Sequence, residues 1–411
     1  MSTPTAASQA VTRADVEAAA RLIRGVVRLT PVESNRALTE RIGGEVHLKC
    51  ENLQRAGSFK IRGAYTRMAR LSQAERARGV VAASAGNHAQ GVALAAQVLG
   101  LAVRVYMPES APLPKVQATR GYGARVEFSG QTVDETLLAA QAWADHSGAV
   151  LIHPFDHPDV VAGQGTVGLE ILRQVPDVRT ILVGTGGGGL LAGIATAVRR
   201  IRPEVSVVGV QADGAAAWPP SLAAGRPVAL PTLSTMADGI AVGRPGEVPF
   251  GIVRELVDDV VTVSEELISR ALLLMLERAK LVVEPAGAVS VAALLDDGAA
   301  ARFTPPVVAV LSGGNVDPLL MLRVIQHGMA AAGRYLALRL RLADRPGALA
   351  SLLAVLAGTR ANVLEVEHVR TSPKLSVAEV ELALRLETQG RDHRAKVLSA
   401  LREAGYPFVT G

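Results

Sequence analysis

The run Arg179-Thr180-Ile181-Leu182-Val183-Gly184-Thr185-Gly186-Gly187-Gly188-Gly189 decides how this chain is read. Its first half is a short apolar strand, its second half a glycine loop, and residues 188–200 continue as an Ala/Leu-rich helix. Glycines let backbone N–H groups crowd around an anion, and a helix N-terminus adds a favourable field. The string also satisfies G-x-G-x-x-G, and Asp213 lies near the spacing of a ribose-binding acid, so a dinucleotide site is one alternative. Four consecutive glycines suit a single compact phosphate.

The same pattern repeats outward from this turn. Residues 46–50, 79–83, 102–106, 125–128, 205–210 and 306–311 read as further strands. Residues 87–99, 133–147, 159–175 and 265–280 read as helices between them. Apolar strands alternating with helices predict parallel sheets covered on both faces, and so many strands favour two doubly wound α/β subdomains. The rhythm changes after Gly314. Residues 335–342, 346–357, 362–370, 376–387, 391–404 and 406–410 read strand, helix, strand, strand, helix, strand, the ferredoxin-like order. The expected division is therefore 1–328, with a smaller subdomain at roughly 50–150, a linker at 329–334, and a second domain at 335–411.

Composition excludes several classes. Of 411 residues 49% are hydrophobic and 20% charged, enough apolar material for a sizeable core. Only 3% are aromatic, too few for the stacking platforms of a single-stranded nucleic-acid binder. The single cysteine, Cys50, excludes an internal disulfide framework and a multi-cysteine metal site. Residues 1–10 lack a basic stretch followed by an apolar run, and no apolar run approaches a membrane span. A cytoplasmic protein without nucleic-acid or membrane partners is expected. Lysine occurs at only six positions, 49, 60, 115, 280, 374 and 396, against 37 arginines. Any chemistry that needs an amine has six candidates.

Three further turns stand at strand ends. Gly57-Ser58-Phe59-Lys60 places a lysine between a strand and a helix start, where ligands of α/β sheets bind. An amine near a phosphate cradle is what a Schiff base with pyridoxal phosphate requires, although an exposed structural lysine fits the same pattern. Ser84-Ala85-Gly86-Asn87-His88 opens a helix whose free N–H groups suit a substrate carboxylate. Asn87 reads equally as an N-cap or a ligand contact, and His88 as a ring that never meets substrate. Leu311-Ser312-Gly313-Gly314-Asn315 offers a hydroxyl that could meet a heterocyclic nitrogen or cap the next helix. Glu284, before Pro285-Ala286-Gly287, reads as a solvated acid.

With these motifs together, the chain resembles the fold-type II pyridoxal-phosphate enzymes, most closely the threonine dehydratases, or threonine ammonia-lyases. The resemblance spans residues 12–325 and rests on 57–64, 84–91, 186–190 and 311–315, with Thr30-Pro31-Val32 and Glu284-Pro285-Ala286-Gly287 in support. The tail resembles an ACT domain through Asp344-Arg345-Pro346-Gly347-Ala348-Leu349 and Asn362-Val363. The resemblance implies Lys60 as Schiff-base residue, Phe59 beside the cofactor ring, and Asn87 on the ring's 3′ oxygen. It also implies Gly186, Gly187, Gly188, Gly189 and Leu190 around the phosphate, Ser312 at the pyridine nitrogen, and Ser84, Ala85, Asn87 and His88 at the substrate carboxylate. The implied reaction is deamination of L-threonine to 2-oxobutanoate and ammonia, with L-serine as a second substrate. An amino-acid effector near Gly347, Ala348 and Asn362, a homo-oligomer and no metal complete the expectation.

Three other readings compete. Serine racemase shares most motifs, but carries a second serine as acid/base where this chain has Ala85. Its divalent-cation run is also eroded here to Gln211-Ala212-Asp213-Gly214-Ala215-Ala216-Ala217. A catalytically dead amino-acid sensor leaves the intact Lys60 without purpose. An NAD-dependent dehydrogenase leaves Lys60, Asn87 and Ser312 unexplained.

Overall fold

A computed structural model describes residues 11–370 and 375–410. The expectation drawn from residues 1–10, and Lys374, lie outside the described residues. Two compact units divide at Asp317 and Pro318.

The first unit holds two sheets. Strands β1 (Val32–Ser34), β2 (Val46–Lys49), β3 (Val80–Ala83), β4 (Val103–Met107), β5 (Arg125–Phe128), β6 (Val150–Leu151), β7 (Thr180–Gly184), β8 (Ser206–Ala212), β9 (Asp259–Val263) and β10 (Val307–Val310) follow in chain order. Strands β5-β4-β3-β6 form a wholly parallel sheet, the smaller lobe. The larger sheet runs β1-β2-β10-β7-β8-β9 and is parallel except at the edge pair β1–β2. β3, β7 and β10 are buried along their whole lengths, as parallel strands covered on both faces must be. The seven strands expected from the sequence are all present. β1, β6 and β9 are additional: two are very short, and β9 alternates exposed and buried residues at a sheet edge. The expected helix 265–280 is α-helical only over Glu265–Leu274, turns π-helical over Met275–Ala279, and stops at Lys280 with φ 60°.

Backbone contact sets the spacing of the central helices. The helix Pro158–Gln174 runs between the helices Lys60–Ala69 and Gly189–Arg199. A Cβ on Gly163 would come within 2.6 Å of the Arg62 carbonyl and Gly63 Cα, and one on Gly193 within 2.4 Å of the Val161 carbonyl. Real Cβ atoms do not approach so closely, so these helices meet backbone to backbone.

A buried ion network ties the same helix down. Arg62, fully buried, holds Glu51 through Nε and Nη2 (2.8 Å each) and Glu170 through Nη1 (2.7 Å) and Nη2 (3.0 Å). Lys49 Nζ donates to Glu170 (2.6 Å), Gln174 (2.8 Å) and the Thr30 carbonyl (2.9 Å). Burial alone would raise the Glu51 carboxyl, but the Arg62 guanidinium outweighs it and holds Glu51 below the usual carboxylate range. Two cations meet two anions, so no net charge is stranded. Cys50 next door is also buried, and burial pushes its thiol up to about 12, which leaves it protonated and unreactive.

In the second unit, the helix Pro318–Ala331 is followed by β11 (Tyr335–Ala343), the helix Ala348–Thr359, β12 (Asn362–Val369), β13 (Glu379–Glu387), the helix Arg391–Glu403 and β14 (Phe408–Thr410). The sheet order is β12-β13-β11-β14 with antiparallel pairs throughout. Leu336, Leu338, Leu340 and Leu342 face Leu352, Leu356, Val397 and Leu401 in its core. The first three residues of the expected 329–334 linker are helical instead: the helix runs through Gly328 to Ala331, and the chain turns at Gly333, which has φ 69°. No helix among the described residues is long and apolar enough to cross a membrane.

Truncating Glu170 to alanine would leave two buried cations with one carboxylate, Arg62 keeping Glu51 and Lys49 losing its bonded acid. Unfolding by denaturant should show a loss of about 3–5 kcal/mol for the first unit. A loss below about 1 kcal/mol would show that the network carries little of its stability.

Candidate active site

The carboxyl ends of β7 and β10 open into a cavity lined by Phe59, Lys60, Asn87, Gly184 through Leu191, Glu284 and Ser312, with Pro154, Phe155, Gln164, Gly239, Ile240, Val242 and Ala286 completing its wall. Residues from four separate turns therefore share one space at a sheet's carboxyl end.

The glycine loop is a shaped cradle. Gly188 has φ +96°, and a Cβ there would meet the Trp218 ring at 2.3 Å; one on Gly187 would meet the Phe155 ring at 2.4 Å. Trp218 Nε1 donates to the Gly186 carbonyl (2.7 Å), and the Gly246 N–H to that of Gly187 (3.1 Å). With those carbonyls engaged, the peptide units of 186–190 are held in place and the helix Gly189–Arg199 begins at the cavity. Asp213 sits in the short turn Asp213–Ala215 beyond β8 and does not line the cavity, which removes the main support for the dinucleotide alternative.

Lys60 starts its helix at the cavity wall. Its Nζ donates to the Pro154 carbonyl (3.2 Å) and lies 5.2 Å from the Phe59 ring centroid. Burial pulls its ammonium down from the ordinary 10.5 to about 8, while Glu284 pulls the other way. The amine is thus much nearer neutrality at physiological pH than an ordinary lysine.

Asn87 is the first residue of its helix, so the N-cap reading fails: Gly86 occupies that position and makes no side-chain cap. The Asn87 amide instead donates to Glu284 Oε1 (2.5 Å) and accepts from Asn315 Nδ2 (2.8 Å). Glu284 is only 2% exposed, contrary to a solvated acid, because the turn before Pro285 folds under Gly313. Burial first, then Asp238, pushes its carboxyl from the ordinary 4.5 up to about 7. Ser312 caps no helix; its hydroxyl donates to the Ala286 carbonyl (3.3 Å) at the cavity wall. Ser84, Ala85 and His88 do not line the cavity. The Ser84 hydroxyl accepts from the Gly86 N–H (3.1 Å), and the buried His88 ring bonds the Ile152 carbonyl (2.7 Å). Burial, and then Lys60, pushes His88 down to about 3, so it stays neutral.

Sequence reasoning missed Pro154 and Phe155, which follow the two-residue strand β6, and the partnership of Asn87 with Glu284 and Asn315. Nothing local marks residues 197 and 228 positions away as neighbours.

The residues present fit pyridoxal phosphate. A glycine loop with no room for a Cβ against Trp218 and Phe155 offers amides to a phosphate, an amine of lowered basicity stands in the same cavity, and a buried hydroxyl lines it. The chain belongs to the pyridoxal-phosphate-dependent enzymes: that family's model matches residues 23–313. Within the family, it is 48% identical over 384 residues to the L-threonine ammonia-lyase of Geobacter sulfurreducens, covering 93% of this chain and 95% of that one. A second L-threonine ammonia-lyase, from Thermotoga maritima, is 45% identical over 398 residues, covering 96% of this chain and 98% of that one. A solved threonine deaminase is 44% identical, with TM-score 0.71 over 74% of this chain and 99% of its own. Maize serine racemase is 35% identical, with TM-score 0.73 over 78% and 99%.

The Glu284 environment has a measurable sign. A carboxyl whose folded value lies above its unfolded one binds more protons when folded, so stability falls as pH rises between about 4.5 and about 7. Glu284→Gln should lack this dependence. Relative to that variant, the native chain should lose on the order of 3 kcal/mol across the window in pH-dependent unfolding. Parallel curves for the two proteins would show that Glu284 does not titrate there.

Proposed function

We propose that the chain deaminates L-threonine to 2-oxobutanoate and ammonia, accepts L-serine as a second substrate, and serves isoleucine synthesis or threonine catabolism. The observation that carries this reading is the presence of the Lys60 amine and the 186–190 amide cradle in one cavity, in a chain whose relatives bear threonine-lyase names. Pyridoxal phosphate, when bound, supplies an electron sink for negative charge at the substrate α-carbon. The chain's own residues do the rest. Amides of Gly186 to Leu190 bind the phosphate, and Phe59 flanks the ring. Asn87, its amide carbonyl occupied by Asn315 and its amide donating to Glu284, would have its remaining N–H to offer to the ring's 3′ oxygen. Ser312 presents a neutral hydroxyl to the ring nitrogen, which leaves that nitrogen less readily protonated than a carboxylate would and favours elimination over transamination. In the 84–88 loop the Ser84 N–H is bonded to the Tyr106 carbonyl and the Gly86 N–H to the Ser84 hydroxyl, so the amides of Ala85, Asn87 and His88 are the ones assigned to the substrate carboxylate. Lys60, with its basicity lowered to about 8, would hold the cofactor through Nζ and, once freed by the substrate amine, would take the α-proton there.

Racemisation needs a second acid/base on the opposite face of the substrate, and Ala85 has no proton to give. This favours deamination despite the similarity to maize serine racemase.

Lys60→Ala should abolish the near-visible absorbance of bound cofactor and reduce 2-oxobutanoate formation by at least about a thousandfold. Native protein that binds the cofactor yet forms no 2-oxo acid from threonine would overturn the proposal.

The second unit is proposed as an ACT regulatory domain in a homo-oligomer. Gly347, with φ +86°, precedes the helix Ala348–Thr359, and Asn362 starts β12; these residues are assigned to an amino-acid effector, isoleucine. Asn362→Ala should raise the isoleucine concentration for half-inhibition several-fold. Identical inhibition curves, or no inhibition of the native enzyme, would refute the assignment.

A further inference from the structure

Lys115 is one of six lysines in an arginine-rich chain, and it is 8% exposed. It lies on the helix Leu113–Gly121 of the smaller lobe and bonds Asp238, which opens the turn Asp238–Ile240 of the larger one. The ion pair therefore bridges the two lobes. Its setting is specific. A Cβ on Gly86 would lie 3.7 Å from Lys115 Nζ, so the ammonium stands over the loop that seats the carboxylate in the proposed function. A Cβ on Gly239, next to Asp238, would lie 4.0 Å from Asn87 Nδ2 and 3.7 Å from Glu284 Oε1. The partners are unequal: the Lys115 side chain is 10% exposed and that of Asp238 56%. A half-exposed carboxylate shares its charge with water and holds its partner weakly. An ammonium has three N–H donors, and Asp238 is the acceptor bonded to it among the described residues.

We propose that Lys115 is a carboxylate-recognition residue: the substrate's carboxylate, seated on the Ser84–Asn87 loop, competes with Asp238 for the Lys115 ammonium. This rests on the reading of that loop as the carboxylate seat. It adds a side-chain charge to a site otherwise built of backbone amides, and it makes Asp238 a competitor of the substrate. A compact ammonium suits this role because it can turn between two acceptors, whereas a planar guanidinium would be committed to one fork. No proton moves; one ion pair exchanges for another.

The competition gives the two partners opposite signs. In the holoenzyme, assayed with L-threonine well above the Glu284 titration near 7, Lys115→Gln should raise KM about tenfold or more, with kcat changed much less. Asp238→Asn should lower KM a few-fold, because Lys115 is then free for the substrate. Melting temperature and the near-visible absorbance of the bound cofactor establish that each variant is folded and loaded. A KM raised in both variants, or unchanged in Lys115→Gln, overturns the assignment and makes the pair a brace between lobes. If Lys115→Gln does not load, Asp238→Asn decides alone: a lower KM supports the assignment and a higher or equal one overturns it. Failure of the native enzyme to act on threonine is a separate result that strikes the functional reading. In that case the same two variants are compared for displacement of the cofactor absorbance by L-serine, with the same signs expected.

Discussion

Everything in the catalytic unit is referred to the clasp of Arg62 by Glu51 and Glu170. Arg62 sits two residues beyond Lys60 on the same helix, and its N–H groups are shared among two carboxylates, Thr166 and the Arg28 carbonyl. Through Glu170 the clasp reaches the helix Pro158–Gln174, and through Lys49 it reaches the end of β2. A buried charge network contributes little net stability over a well-packed apolar core, because desolvation offsets most of the attraction. What it does supply is direction. A guanidinium that must meet two carboxylates fixes the rotation of its helix, and that rotation aims Lys60 into the cavity.

The electrostatics of the cavity follow from the same geometry. Lys60 is partly buried in the cavity wall, and burial lowers its basicity. Glu284 lines the same cavity, and burial raises its carboxyl toward neutrality. Burial is the larger cause of both shifts, with Asp238 adding to that of Glu284, and each group stands closer to its neutral form near pH 7 than its ordinary value would put it. His88, driven neutral by its burial, adds no competing cation.

The sequence made the catalytic framework legible because its signals are local. A strand, a glycine turn and a helix lie within about a dozen residues, and seven strands and the glycine turn at 184–189 could be placed from that pattern alone. The tail's strand and helix order was equally open to reading, since period-2 leucines at 336, 338, 340 and 342 are a contiguous signal. The relations that make the site work are not local. Asn87 reads equally as a cap or a ligand contact until Asn315 and Glu284 are brought to it from distant segments, and Glu284 reads as solvated until Gly313 covers it. Arg62 was visible only as part of a motif; its partners lie 11 and 108 positions away, in segments that show no matching signal. Likewise β6 and β9 are too short or too polar to stand out, yet β6 delivers Pro154 and Phe155 to the cavity.

The glycine contacts at 163 and 193 carry one more consequence. Where helices touch through side chains, a core can drift as residues change size in compensating pairs, and distances across it drift too. Here the amine-bearing helix and the cradle-bearing helix rest against a common third helix through peptide atoms, which no substitution can lengthen or shorten. The gap between amine and cradle therefore behaves as a gauge machined into the main chain. The two lobes are free to accumulate substitutions at their apolar surfaces while the span that a single cofactor must fit stays the same. A methyl group added at either crossing, 2.4–2.6 Å from main-chain atoms, would push two helices apart and so reach the packing of the unit and the reaction centre together.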